Sequence, residues 1–88
     1  MYDKKYRLEK IEEFNHHNPI YDNIEDAACY LAYFKVGERG WFLWLEDFGF
    51  KEFAHRIHTS LVQSVEYIDD MVVVGTENTK LTFREIKE

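Results

Sequence analysis

The chain has 88 residues, which is enough for one hydrophobic core and predicts a single domain over residues 1–88. Apolar residues make up 45% of the chain and aromatic residues 17%, which excludes a disordered segment. The formal net charge of −6 argues against direct nucleic-acid binding, which needs a positive surface, and is compatible with plain solubility or with a basic partner surface.

The cysteine content and the lengths of the apolar runs indicate the cellular compartment. Cys29 is the only cysteine, so an intrachain disulfide and a thiolate-rich zinc site are excluded. The first residues have no apolar stretch of signal-peptide length, and no later run approaches the roughly 20 apolar residues of a membrane span. We therefore expect a cytoplasmic protein with no membrane contact.

The first element, Tyr2 to Phe14, is dense in strong helix formers. Leu8, Ile11 and Phe14 have near-helical spacing, and Asp3 is a candidate N-cap. A strand would place charged side chains on the apolar face, so a helix is preferred and the strand remains the alternative.

A second helix is predicted after the turn that ends at Pro19. Asn23 is a candidate N-cap and Gly37 a candidate C-terminal residue. Between them, one apolar stripe at helical spacing consists of Ile24, Ala27, Ala28, Leu31 and Phe34.

From Gly40 the pattern changes to that of strands. Trp41–Leu45 is a continuous apolar run typical of a central strand buried on both faces, and a turn follows it. The stretch 50–67 suits helix or strand, and its β-branched residues favour a strand from Ala54 onward. Residues 71–74 and 81–86 add two strands, with Leu81 and Phe83 facing inward.

These elements predict an α+β fold. The helical N-terminal part would pack on three or four antiparallel strands, which can curl into a small SH3-like open barrel.

Histidine is the commonest metal ligand and an acid or base near neutral pH, so the four histidines are candidate ligands and catalysts. His16 and His17 lie in a polar loop and are expected to be exposed and without a role. His55 and His58 are three residues apart, so on a strand they point to opposite faces and cannot share one metal ion.

The other reactive groups also indicate no chemistry. Cys29 is expected to be a buried small hydrophobe rather than a nucleophile. The paired carboxylates are explained by helix starts, solvated faces and turns, so no catalytic residue, cofactor or metal site is predicted.

Three segments carry a resemblance: Gly37–Leu43, His55–Val62 and Val74–Thr79. They resemble segments of small uncharacterised proteins of low-GC Gram-positive bacteria and their phages or mobile elements. The resemblance covers roughly the C-terminal two thirds of the chain. It implies strands and turns of a small barrel-like unit and a mobile-element setting, and it transfers no activity.

The leading hypothesis is a non-enzymatic acidic protein that docks on another protein and modulates or inhibits it. A counter-defence inhibitor of the anti-CRISPR kind, acting on a nucleic-acid-binding protein, is one such class. The carboxylates expected at turns, and therefore the candidate partner contacts, are Glu46, Asp47, Asp69 and Asp70. The alternatives are an assembly module that forms a homodimer and a small enzyme or metal protein that uses histidine or Cys29.

Overall fold

A computed structural model describes residues 4–15 and 17–87. They form six strands and one short 3₁₀ helix: β1 (Tyr6–Glu13), the helix (Pro19–Asn23), β2 (Ala28–Tyr33), β3 (Arg39–Asp47), β4 (Glu52–Ile68), β5 (Met71–Thr76) and β6 (Thr79–Glu85).

Every strand pairs antiparallel with the next one in the chain, and β1 also pairs with β6. The sheet is therefore a closed barrel, and the expected α+β class with a helical N-terminal part is wrong. Within the described ranges, no helix is long and apolar enough to cross a membrane.

The segment predicted as the first helix is strand β1. Its register with β6 passes from Leu8 opposite Phe83 to Lys10 opposite Thr82, so one extra residue is inserted at a β-bulge. The bulge lets Leu8 and Ile11, three residues apart, both contact the core. A spacing of three is close to the period of a helix, which is why the sequence pattern predicted a helix here. The candidate N-cap Asp3 lies outside the described residues.

The predicted second helix is also wrong. Asn18 caps the 3₁₀ helix instead, because its side-chain oxygen accepts a hydrogen bond from the Ile20 N–H at 3.1 Å. Strand β2 follows, with a register shift between Leu31 and Tyr33. As a result Leu31 and Phe34 both pack on the core at a spacing of three.

The strand predictions for the C-terminal half are confirmed. Trp41–Leu45 lies inside β3, and the strand expected from Ala54 lies inside β4. Leu81 and Phe83 are fully buried, as their alternation predicted. The expectation that Trp41–Leu45 is central and buried on both faces is only partly met, because only its second and fifth residues are buried and a closed barrel has no central strand.

The buried rings of Phe42 and Phe83 meet in the core, and the partly buried ring of Phe34 packs against them. Phe42 meets Phe83 edge to face with ring centroids 5.3 Å apart, and Phe34 lies 6.0 Å from Phe83. Gly40 makes room for this arrangement, since a Cβ there would lie 2.5 Å from Cδ1 of Phe34. The ring of Phe34 therefore rests directly against the backbone of β3.

Strand β4 changes neighbour halfway along its length. From Glu52 to Leu61 it pairs with β3, and from Val62 to Ile68 it pairs with β5. The first half therefore extends beyond β5 as one arm of the β3–β4 hairpin.

Candidate functional site

The tip of the β3–β4 hairpin presents apolar rings to solvent. Phe50 is 89% exposed, Phe48 52% and Phe53 41%, and we call these three residues the aromatic tip. The rings of Phe48 and Phe53 meet edge to face with centroids 5.5 Å apart. An apolar cluster held in water is characteristic of an interaction surface rather than of core packing.

The turn beneath the aromatic tip is held in one shape. Asp47 accepts a hydrogen bond from the Gly49 N–H at 2.7 Å, and the Phe48 N–H donates to the Lys51 carbonyl at 3.0 Å. Gly49 has a φ of +88°, which side chains rarely adopt. The exposed rings therefore sit on a defined turn.

Carboxylates surround the aromatic tip. Glu46 lies 3.1 Å from the Nε2 atom of His55, and Glu52 lies 3.3 Å from the Lys5 ammonium. Lys51 stacks over the ring of Phe53 at 5.0 Å. The side chains of Glu46 and Glu52 remain more than two fifths exposed, so the rim of the tip is acidic and accessible.

A cationic face lies further along the same two strands. The Arg56 guanidinium sits 4.5 Å from the ring centroid of Trp41, and the His58 ring centroid is 6.4 Å from that ring. Arg39 donates from Nε to the Thr59 carbonyl at 3.0 Å. No carboxylate in the described part of the chain forms an ion pair with Arg39 or Arg56.

A polar cleft of about 190 Å³ opens beside this face. Its walls include Glu13, Tyr21, Arg39, His58, Ser60 and Asn78. Hydroxyl groups at the cleft are hydrogen-bonded to one another. Ser60 Oγ donates to Thr76 Oγ1 at 3.0 Å, and Thr76 Oγ1 also accepts from the Thr79 N–H at 3.0 Å. The cleft offers hydrogen-bonding groups and the positive charge of Arg39 to a small polar or acidic group. The Glu13 carboxylate also lines it and is hydrogen-bonded to His17 and to the Asn18 N–H.

The four predicted contact residues do not come together. Glu46 and Asp47 lie at the β3–β4 turn, whereas Asp69 and Asp70 form the β4–β5 turn at the other end of the 17-residue strand β4. Asp70 is held by Arg84 at 2.9 Å. A small partner surface can therefore contact one pair or the other.

His17 differs from the expectation that it has no role. His17 is not idle: its Nδ1 lies 2.8 Å from Glu13 and its Nε2 lies 2.8 Å from Asp22. These hydrogen bonds, the one to Glu13 first, raise the pKa of His17 above its usual value of 6.5. His16 lies outside the described residues.

His55 and His58 take separate surroundings, as strand geometry predicted. His55 stacks on Trp44 with ring centroids 4.4 Å apart, while His58 lines the polar cleft. Among the described residues, no group of three His, Cys, Asp or Glu side chains is placed to hold a metal ion.

Cys29 is buried as expected, although it lies on a strand and not a helix. Burial raises the pKa of its thiol to about 12. The thiol is therefore protonated near neutral pH and is a poor nucleophile.

Sequence reasoning missed the aromatic tip. The prediction for this turn singled out the carboxylates of Glu46 and Asp47 and none of its phenylalanines. The sequence did contain an indication of it. Three phenylalanines lie within or beside a turn that contains glycine, and large apolar residues in a turn indicate an exposed interaction surface; they are Phe48, Phe50 and Phe53.

Comparison with known proteins adds no assignment. The chain matches no model of a known protein family, no curated protein and no solved structure.

Proposed function

We propose that this chain is a non-catalytic binding module that docks its aromatic tip into an apolar pocket of another protein and thereby modulates or inhibits that protein. The exposure of Phe50, beside Phe48 and Phe53 on a pinned turn, is the observation that carries the proposal. Large rings that bury on binding supply much of the energy of protein interfaces, and a preformed turn lowers the entropy lost on association.

The acidic charge around the aromatic tip favours a partner with a basic surface. Glu46, Asp47 and Glu52 flank the rings, so a pocket with basic residues at its rim is complementary. Anionic membrane surfaces attract basic segments and would repel this one. We place the interaction in the cytoplasm, and a nucleic-acid-binding protein, which carries basic surface, is a suitable partner class. The counter-defence role remains a prediction from the sequence.

The test uses tagged protein expressed in its native host. Wild-type protein, Phe50→Ser and Tyr67→Ser would be captured, and the bound proteins identified and then purified for affinity measurements. Tyr67 is the matched control because it is 78% exposed but lies near the opposite end of β4.

We expect one protein to bind wild type and Tyr67→Ser alike and to bind Phe50→Ser at least about tenfold more weakly, a loss of about 1.4 kcal/mol. Equal affinity for all three proteins would contradict docking through the tip.

A homodimer is the second candidate, because a second copy can also cover exposed rings. Light scattering of the purified protein separates the two. A doubled mass that Phe50→Ser returns to the monomer would favour self-assembly.

A further inference from the structure

The first half of β4 has an unoccupied edge. From Glu52 to Ser60 it pairs with β3 on one side, and β5 begins to pair only at Val62. Among the described residues, no strand pairs with the other side of this segment. A strand edge of this kind presents backbone N–H and C=O groups ready to pair with another chain.

The ladder shows which groups face outward. The Phe48 N–H donates to the Lys51 carbonyl, so this is a hydrogen-bonded pair. Such pairs alternate along an antiparallel ladder, and in the observed register the next ones fall at Phe53, His55 and Ile57. The intervening residues, Ala54, Arg56 and His58, therefore direct their N–H and C=O groups toward the free edge.

This edge lacks several of the devices that prevent pairing, although Glu52 and Arg56 are charged. The segment Glu52–Ser60 contains no proline, lysine or glycine. Its register with β3 is regular from Glu52 to His58, and the one irregularity lies beyond that point. From Glu52 to His58 the strand is thus regularly paired, and the whole segment Glu52–Ser60 is roughly 30 Å long at 3.3 Å per residue.

The two ends of the edge carry different chemistry. At the Glu52 end stands the aromatic tip, and at the Ser60 end lies the polar cleft with Arg39. Arg56 adds positive charge between them in a chain whose net charge is −6.

We infer that the Glu52–Ser60 edge is a strand-addition site for an extended segment of a partner protein. The segment pairs with the outward groups of Ala54, Arg56 and His58, packs an apolar side chain on the aromatic tip and places a carboxylate at Arg39 in the cleft. The inference rests on the proposed function and specifies how the partner binds.

Charge argues for a partner segment over a second copy. If two copies paired their edges antiparallel using all three outward residues, the centre would fall at Arg56, and the two guanidinium groups would face each other. Like charges directly opposite each other on paired strands are destabilising. An acidic segment would instead be attracted by the guanidinium groups of Arg39 and Arg56.

The experiment selects ligands from a phage-displayed library of random peptides of about ten residues, the length that the edge accommodates. The selected peptide is synthesised, and its affinity is measured for wild type, Ala54→Val and Ala54→Pro. Valine keeps the outward N–H at position 54, whereas proline removes it and leaves the hydrogen bonds to β3 in place.

We expect the selected peptides to combine an apolar residue with an acidic one. Binding should be equal for wild type and Ala54→Val and at least about tenfold weaker for Ala54→Pro, a loss of about 1.4 kcal/mol. Replacing the peptide's acidic residue by its amide should weaken binding to wild type but not to Arg39→Gln. If circular dichroism shows Ala54→Pro to be unfolded, a synthetic chain with lactic acid at position 54 removes the same N–H.

Equal affinity for the valine and N–H-deleted proteins, or failure of the library to yield any peptide, would overturn strand addition. Binding of the native partner distinguishes failure of strand addition from failure of the proposed function. If Phe50→Ser loses the partner but Ala54→Pro still binds it, docking through the tip stands and strand addition fails. If both variants keep it, both proposals fail. A doubled mass that Ala54→Pro abolishes would identify a second copy as the occupant and overturn the choice of a partner segment.

Discussion

Phe42 and Phe50 belong to the same hairpin, but their surroundings are opposite. Phe42 is fully buried against Phe83, whereas Phe50 is the most exposed of the large hydrophobic residues in the described part of the chain. Identical side chains at these two places therefore serve stability in one case and, in our proposal, binding in the other.

Truncation to alanine should separate these roles. We expect Phe42→Ala to lower the free energy of unfolding by about 3–5 kcal/mol, because it removes a core ring and leaves a cavity. Phe50→Ala should change it by less than about 0.5 kcal/mol, since its ring lies in water. Urea unfolding followed by fluorescence measures both. A similar loss for the two variants would mean that the tip is part of the folded core.

A charged cluster links the end of β1 to the connection that leads to β2. His17 joins Glu13, at the end of β1, to Asp22 in the 3₁₀ helix. Tyr21, the buried residue of that helix, packs with the core. His17 thus links the helix to the end of β1.

This cluster predicts a pH dependence with a defined sign. The pKa of His17 is raised above 6.5 by its bonds to Glu13 and Asp22. A group whose folded pKa is raised contributes its stability fully below the unfolded value and loses it as the pH rises through the folded value. We therefore expect the free energy of unfolding to fall as the pH rises above 6.5 toward the folded-state pKa.

His17→Gln should flatten this part of the stability profile. His58→Gln is the control, because His58 has no carboxylate partner among the described residues and should leave the slope as in wild type. Urea unfolding at a series of pH values on both sides of 6.5 makes the measurement. An unchanged slope in His17→Gln would place the pH dependence elsewhere.

At the level of elements, the sequence was informative where strands are regular. Leu81 and Phe83 alternate with polar residues, and β6 was predicted correctly. In β1 and β2 the bulges after Leu8 and Leu31 turn a spacing of two into a spacing of three, so inward residues imitate a helix. Propensity added to the error in β1, because glutamate and lysine favour helices and only tertiary pairing with β6 overrides them.

At the scale of the molecule, closure of the barrel left no local trace in the sequence. The pair between Glu9 and Arg84 joins residues 75 positions apart. Alternation within a segment reports which face is buried, and it does not report which distant strand lies alongside. For the same reason the free edge of β4 could be recognised only when the neighbours of that strand were known.

Charge reversal tests which end of the molecule meets the partner. Glu46 lies at the aromatic tip and Asp69 at the far end of β4, so their effects on association should differ. We expect Glu46→Lys to slow association with the captured partner in a salt-dependent way, because charges at the rim of an interface act mainly on encounter. Asp69→Lys and Glu12→Lys should have smaller effects.

Stopped-flow association rates at low and moderate salt make this comparison. Equal slowing by all three variants would mean that net charge alone steers the encounter. Slowing by Asp69→Lys alone would move the interface to the β4–β5 turn.

The pairing of β1 with β6 also determines when the barrel can close during synthesis. Strand β1 is made first, but its ladder with β2 covers only two residue pairs, and its longer ladder is with β6, which is made last. The hairpins from β3 to β6 can form as each strand leaves the ribosome, whereas β1 waits for residues near Glu85. Until β6 has been made, the edge of β1 that pairs with it is open to other chains, so we expect nascent chains of this protein to aggregate less when they are dilute.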